Sequence, residues 1–263
     1  MTGRSFVFDG YGAQVRIGLP RGFDPTLLER HVAPEIQLRD DSAGPLDLLL
    51  TCWNGTYRLV YGERRYGPYS SFESSMRGVS NAIHYVLGKR SPMTFLHAGA
   101  VEIDGGAVIF PGRSRWGKST LVASLVERGC GYLSDEYAVI SEDGAVFPLS
   151  KSIRLRREGG AAYLHPPGVS APGGLRCSNL ILTRFEEGAR WDPESLTAGA
   201  AILETVSSAL QSTESPERVL ASLSALVQDA DCYQSPRGDL ESAVDAILQI
   251  VGASPVDGQQ ASL

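Results

Sequence analysis

The chain has 263 residues, 43% hydrophobic and 21% charged, with a formal net charge of −6. This is ordinary globular composition, long enough for one large domain or two with a sizeable core. The acidic balance argues against a general nucleic-acid or anionic-membrane surface. With no apolar run of roughly 18 residues, no transmembrane helix is expected.

The first residues, 1–9, lack the long apolar core of a signal peptide. Residues 6–8 and 14–19 read as strands, and so do residues 46–51, one acid in an otherwise apolar run. Residues 56–62 are rich in aromatic and β-branched side chains, the pattern of a half-buried strand. Residues 70–87 predict a helix with an apolar stripe of Phe72, Met76, Val79, Ile83, Val86 and Leu87, stopped by the Gly88–Pro92 stretch. Residues 1–92 are therefore expected to form a small α+β module ahead of a nucleotide-binding core at 93–252.

In that core, residues 96–103, the Asp104-Gly105-Gly106 turn and the apolar run after it predict a hairpin. The second arm feeds Gly112-Arg113-Ser114-Arg115-Trp116-Gly117-Lys118-Ser119-Thr120, a match to G-x-x-x-x-G-K-[ST]. Residues 121–129 then repeat apolar positions at helical spacing and end on glycine. A strand, a glycine loop and a helix in this order cradle phosphate. Glycines let backbone N–H groups close on the oxygens, and the helix N-terminus adds positive partial charge. Lys118 would reach the β- and γ-phosphates, and the Ser119 hydroxyl would ligate magnesium. A short strand at 131–134 ends in Asp135 and Glu136, where such a fold places a metal ligand or general base; the bland alternative is a solvated turn. Residues 137–147 predict a second hairpin, residues 179–185 a buried strand, and residues 195–210, 216–227 and 239–251 helices. The polar tail, 253–263, is expected to be disordered. Cys52, Cys130, Cys177 and Cys232 form no C-x-x-C pair and read as small buried residues of a reducing cytoplasm, with no zinc site. His97 lies among Phe95, Leu96, Ala98 and Ala100, company in which a lone histidine is more often a satisfied core residue than a catalyst. His31, His84 and His165 have no constellation around them.

Leu96-His97-Ala98-Gly99, the loop from Gly112 to Ser119, and Leu133-Ser134-Asp135-Glu136 together resemble the HPr serine kinase/phosphorylase family and its smaller relatives. These share a P-loop fold with phosphoenolpyruvate carboxykinase. The order and intervals fit over residues 95–140 and more loosely to about residue 250. The resemblance implies an α/β class with a mixed sheet, and it makes His97 a site residue. It implies that Lys118 and Ser119 bind phosphate and magnesium, that Asp135 is the base toward an acceptor hydroxyl, and that Glu136 or Asp135 assists the metal. It also implies oligomers. Arg115 stands where the family loop has glycine, beside the bulky Trp116, and Glu136 replaces a second aspartate. The family's downstream arginine signature is missing; Arg154, Arg156 and Arg176 are candidates for its role. The first module does not resemble the family's N-terminal domain, which turns the comparison from HPr toward the small relatives found with peptide-modifying or other biosynthetic systems.

The expected function is an ATP- and magnesium-dependent kinase that phosphorylates a hydroxyl on a peptide, a protein or a small molecule. Its catalytic residues would be Asp135, His97 and Lys118, and residues 1–92 or 154–174 would choose the acceptor. No nucleic-acid or membrane partner is expected. The alternatives are a nucleotide-binding regulatory module with little turnover, and a phosphorylase or carboxykinase-like activity. No N-K-x-D base-reading motif supports a guanine switch.

Overall fold

The computed structural model describes residues 2–40, 44–157 and 160–252. The expectation for the 253–263 tail lies outside the described residues. The chain divides into two compact units, Met1–Met93 and Thr94–Leu263.

The first unit is built from β1 (Thr2–Gly10), β2 (Ala13–Pro20), the short α1 (Thr26–Glu29), β3 (Gln37–Asp40), β4 (Leu48–Trp53), β5 (Thr56–Tyr61), β6 (Arg64–Tyr69) and α2 (Phe72–Arg90). The strands form one sheet in the order β3-β1-β2-β4-β5-β6, antiparallel except for the β2–β4 pair. Met76, Val79, Ile83, Val86 and Leu87 bury the α2 stripe, which packs against β2, β5 and β6. Phe72, first in the expected stripe, is 36% exposed and rests against the rings of Phe23 and Tyr57. Ser71 and Ser74 cap the helix reciprocally. At the other end it continues three residues past the expected Leu87, into the Gly88–Pro92 stop. It ends only at Ser91, whose ψ of 141° is what the following proline demands. The edge strands β3 and β6 were not foreseen. Both are mostly exposed, so they carry no buried-face alternation to read. His84 is a core histidine whose Nε2 accepts from the Ala33 amide at 3.2 Å.

The second unit contains β7 (Thr94–Leu96), β8 (Ala98–Ile103), β9 (Gly106–Pro111), α3 (Lys118–Glu127), β10 (Gly131–Ser134), β11 (Ala138–Ile140), β12 (Val146–Phe147), β13 (Ile153–Arg157), β14 (Gly160–Leu164), β15 (Cys177–Phe185), β16 (Glu194–Ser195), α4 (Ala198–Val206), α5 (Pro216–Val227), β17 (Asp231–Arg237) and α6 (Leu240–Val251). It is α/β. A mixed central sheet runs β10-β8-β9-β15-β17-β16, with a three-stranded sheet β12-β11-β7 and the β13–β14 hairpin beside it. β9, β15 and β17 are mutually parallel. β10 points the same way, because it and β9 both run antiparallel to β8.

The sheet is covered on both faces, which explains why β9 and β15 are continuous apolar runs rather than alternating ones. Val108, Phe110 and Ile181 face α3 and α6, packing with Leu121, Leu125, Val244 and Ile247. Ile109, Leu180 and Leu182 face α4 and α5, packing with Ala201, Val219, Leu223 and Leu226. Fully burying each such side chain is worth about 1.5–3 kcal/mol.

Helix α4 is shorter than expected at both ends. Its C-terminal continuation leaves the helix to pair with the backbone beside β7, where His97 N donates to Ser208 O and Leu210 N to Phe95 O. The β13–β14 hairpin and β17 were missed. β17 reads Asp-Cys-Tyr-Gln-Ser-Pro-Arg, and its buried positions Cys232, Ser235 and Arg237 are mostly polar. The cysteines correct another expectation: Cys177 and Cys232 are buried, but Cys130 is half-buried and Cys52 exposed, because Cys52 lies near the open β4–β5 turn. Among the described residues no helix is long and apolar enough to cross a membrane.

Candidate phosphate-binding site

The carboxyl ends of β9 and β10 lie along one edge of the sheet, with only β8 between the two strands. β9 delivers the loop 112–117 to that edge, and β10 delivers Asp135. Gly117 closes the loop with φ 81°, in the left-handed region where glycine carries no steric penalty, and it serves as the α3 N-cap without a side chain to offer. The first-turn N–H groups of α3 thus have no capping side chain, the condition for receiving an anion there. Arg115 also has positive φ, at 75°.

Lys118 is buried at 7% exposure. Its Nζ donates to the carbonyls of Gly112 at 2.6 Å and Arg113 at 3.0 Å, and lies 3.2 Å from His97 Nε2. Burial brings its pKa down to about 8, opposed by the nearby Asp135 charge. On the far side of the imidazole, His97 Nδ1 is 2.9 Å from the Glu136 carbonyl. These partners select one tautomer: Nδ1 donates to the carbonyl and Nε2 accepts from the ammonium. Burial, and then the Lys118 charge, push the imidazole below its usual pKa and favour its neutral form. His97 therefore ties the loop lysine to the end of the acidic strand.

Burial holds the Asp135 carboxyl above the usual carboxylate pKa, opposed by the neighbouring Ser119 hydroxyl and Arg154 amide, which favour its charged form. Its Oδ1 is buried with no hydrogen-bond partner. Glu136 is engaged differently, since its Oε2 pairs with Lys151 Nζ at 2.6 Å. No group of three or more His, Cys, Asp or Glu side chains among the described residues could hold a metal by itself. Magnesium characteristically takes one or two carboxylates plus substrate phosphates rather than an all-protein cage. The Ser119–Asp135 pair, with one carboxylate oxygen buried and unsatisfied, fits that donor set.

The structure brings Lys118, Ser119, His97 and Asp135 together, and it lays Gly112 to Thr120 around the α3 N-terminus. Arg113, Ser114, Arg115 and Thr120 are exposed, whereas Trp116 is half-buried. Of the three arginines singled out, Arg154 contributes its backbone amide, Arg156 points to solvent, and Arg176 pairs with Asp229 at 3.0 Å. The arginine that sequence reasoning missed is Arg237, at the carboxyl end of β17. It is 2% exposed, and its Nη2 donates to Gly117 O at 2.7 Å. Burial pushes its pKa down with no acidic neighbour to oppose it, and its Nε has no partner. The available signal was positional: Arg237 immediately precedes Gly238 and the helix N-cap Asp239, a strand-to-helix junction like the one at the loop itself.

No family model matches the chain. A curated HPr kinase/phosphorylase of Chlorobium luteolum is 31% identical over 84 residues, which is 32% of this chain and 25% of that relative. The HPr(Ser) kinase/phosphatase structure from Coxiella burnetii aligns with 60% of this chain and 99% of its own at 12% identity and a TM-score of 0.29. The chain is thus similar in sequence to an HPr kinase/phosphorylase over about a third of its length.

Proposed function

We infer that the second unit is an ATP- and magnesium-dependent kinase that transfers the γ-phosphoryl group to a hydroxyl acceptor. The observation that carries this reading is the meeting of Ser119 with Asp135, whose Oδ1 is buried and unpartnered beside the lysine of the phosphate loop. A site that only held nucleotide would not need a desolvated carboxylate there. The HPr kinase/phosphorylase similarity supports the same class of reaction.

Phosphoryl transfer asks chiefly for positioning and charge stabilisation. The uncapped amides of α3 and the loop would hold the phosphate oxygens. Lys118 would exchange its two carbonyl partners for the β- and γ-phosphates, while His97 steadies it from behind. Ser119 and Asp135 would hold magnesium, which when bound supplies neutralisation of charge on the phosphates. Asp135 would take the acceptor's hydroxyl proton as the oxygen bonds to the γ-phosphorus and the bond to ADP breaks. A carboxyl raised by burial is better matched to that proton than an exposed one. Arg237 touches the loop backbone rather than the ligand, so it would position the loop. The acceptor is a hydroxyl of a peptide, a protein or a small molecule.

The test is mass spectrometry of candidate peptide and small-molecule acceptors after incubation with ATP and magnesium. Phosphorylated product should form with the native chain and fall by about 100-fold or more with Lys118→Ala and with Asp135→Asn. Full activity in Asp135→Asn would remove it as the base. Tight ATP binding with no phosphorylated acceptor would favour the regulatory reading.

A further inference from the structure

A cavity of about 420 Å³ opens on the other flank of the phosphate loop, at the carboxyl ends of β9, β15 and β17. That size lies within the range of small-molecule sites. Its walls include Gly112 and Trp116 of the loop, Thr183 of β15, Gln234 of β17, and Leu203 and Ser207 at the end of α4. Three observations mark it as built to hold something. The Thr183 residue is only 5% exposed, yet its Oγ1 has no hydrogen-bond partner. The Trp116 ring lies so close over Gly112 that a β-carbon there would meet it at 2.6 Å, so the indole is held against the loop as a wall of the cavity. Leu203, a large apolar side chain on α4, stands 75% exposed at the cavity wall.

The order of strands decides which part of a substrate belongs here. In β10-β8-β9-β15-β17, Asp135 and the reacting end of a phosphate chain lie on the β10 flank, and the cavity lies on the β15–β17 flank. Asp135, Ser119 and Lys118 are absent from its lining. A hydroxyl acceptor placed in the cavity would therefore stand away from the base. The portion of the phosphate donor that leads away from its γ-phosphate would reach it.

We propose that this cavity binds the nucleoside of the phosphate donor, with the base against Trp116 and polar contacts from Thr183 and Gln234. The indole supplies a flat apolar face, and stacking of a base on an aromatic ring does not depend on one particular base. The Thr183 hydroxyl and the Gln234 amide can each donate or accept, so they would read the ribose or the base edge. The proposal rests on the phosphate-loop reading and adds the site for the other half of the nucleotide.

Binding of Mg-ATP and of Mg-tripolyphosphate to the full chain, measured side by side by calorimetry, separates the two readings. The native chain should bind ATP at least about tenfold tighter than tripolyphosphate, the advantage expected of one stacked base. Trp116→Ala should collapse that ratio toward one. Because Trp116 also packs on Gly112, Ser207→Trp is the second variant; it fills the cavity from the exposed end of α4 and should collapse the ratio in the same way. A native ratio near one, or an ATP advantage that survives both variants, overturns the proposal and leaves the phosphate loop intact, with the cavity open to the acceptor instead. Failure of the native chain to bind either ligand removes the phosphate-loop reading and this proposal with it.

Discussion

Arg115 holds the left-handed conformation that a glycine would adopt without penalty, at φ 75°. For a non-glycine residue that conformation costs roughly 1–2 kcal/mol, part of which a glycine would give back as extra freedom in the unfolded chain. Arg115→Gly should therefore raise the melting temperature by about 1–4 °C in a thermal unfolding scan, and a lower one would show that the arginine side chain contributes more than its backbone costs. The cysteines offer a second reading at this scale. Burial, and then the charge of Glu102, push the half-buried Cys130 thiol up to about 11. At pH 8 only on the order of one part in a thousand of it is thiolate, and its reactivity should climb about tenfold per pH unit until the pH nears that value. A disulfide-exchange reagent at pH 8 should label the exposed Cys52 first, with Cys177 and Cys232 reacting only on unfolding. Labelling of Cys130 as fast as Cys52 would contradict its burial. His97 is the residue whose meaning changed most. Alone in the sequence it read as a core histidine, and only the fold shows one ring nitrogen on Lys118 and the other on the Glu136 carbonyl.

At the scale of elements, the position of α3 depends on Gly99 of β8. A β-carbon there would sit 2.6 Å from Val122 Cγ2, so the helix that begins with Lys118 and Ser119 lies as close to the sheet as a bare backbone permits. Gly99→Val should cost about 1–3 kcal/mol through overpacking and lower the melting temperature by several degrees. Adding Val122→Ala should recover part of that loss, and a double variant no more stable than the single one would show that the contact is not the cause. β17 braces the same loop from the opposite flank through Arg237 and the Gly117 carbonyl. The sequence made β9, α3, β10 and β15 legible because each buries an apolar run or stripe whose period shows. It hid β17, whose buried positions are serine, cysteine and arginine, and the edge strands β3 and β6, which bury little. In each hidden case the strand exists because a neighbouring backbone needs a partner, and no local pattern records that requirement.

At the scale of the whole molecule, each unit has its own core. Phe8, Ile17, Leu50 and Met76 are fully or almost fully buried in the first, and Phe110, Leu121, Ile181 and Leu223 in the second. A fragment of residues 94–252 should therefore unfold cooperatively in a thermal scan followed by circular dichroism and should bind Mg-ATP with the affinity of the full chain. A non-cooperative melt would show that the second unit depends on the first. The order of residues is enough to show that a strand feeds a glycine loop and a helix, and that acids follow at the end of the next strand. These are contiguous in the chain, and their spacing is set by helix and strand geometry. That Asp135 comes to Ser119 while Glu136 turns to Lys151 emerges only in the folded chain, since two adjacent side chains at a strand end diverge and the partner of each lies elsewhere in the sequence. The same holds for Arg237 standing behind the loop and for Trp116 walling a cavity with Thr183 and Gln234. Those meetings join residues far apart in sequence, and it is the order of strands in the sheet, not any motif, that brings them to one edge.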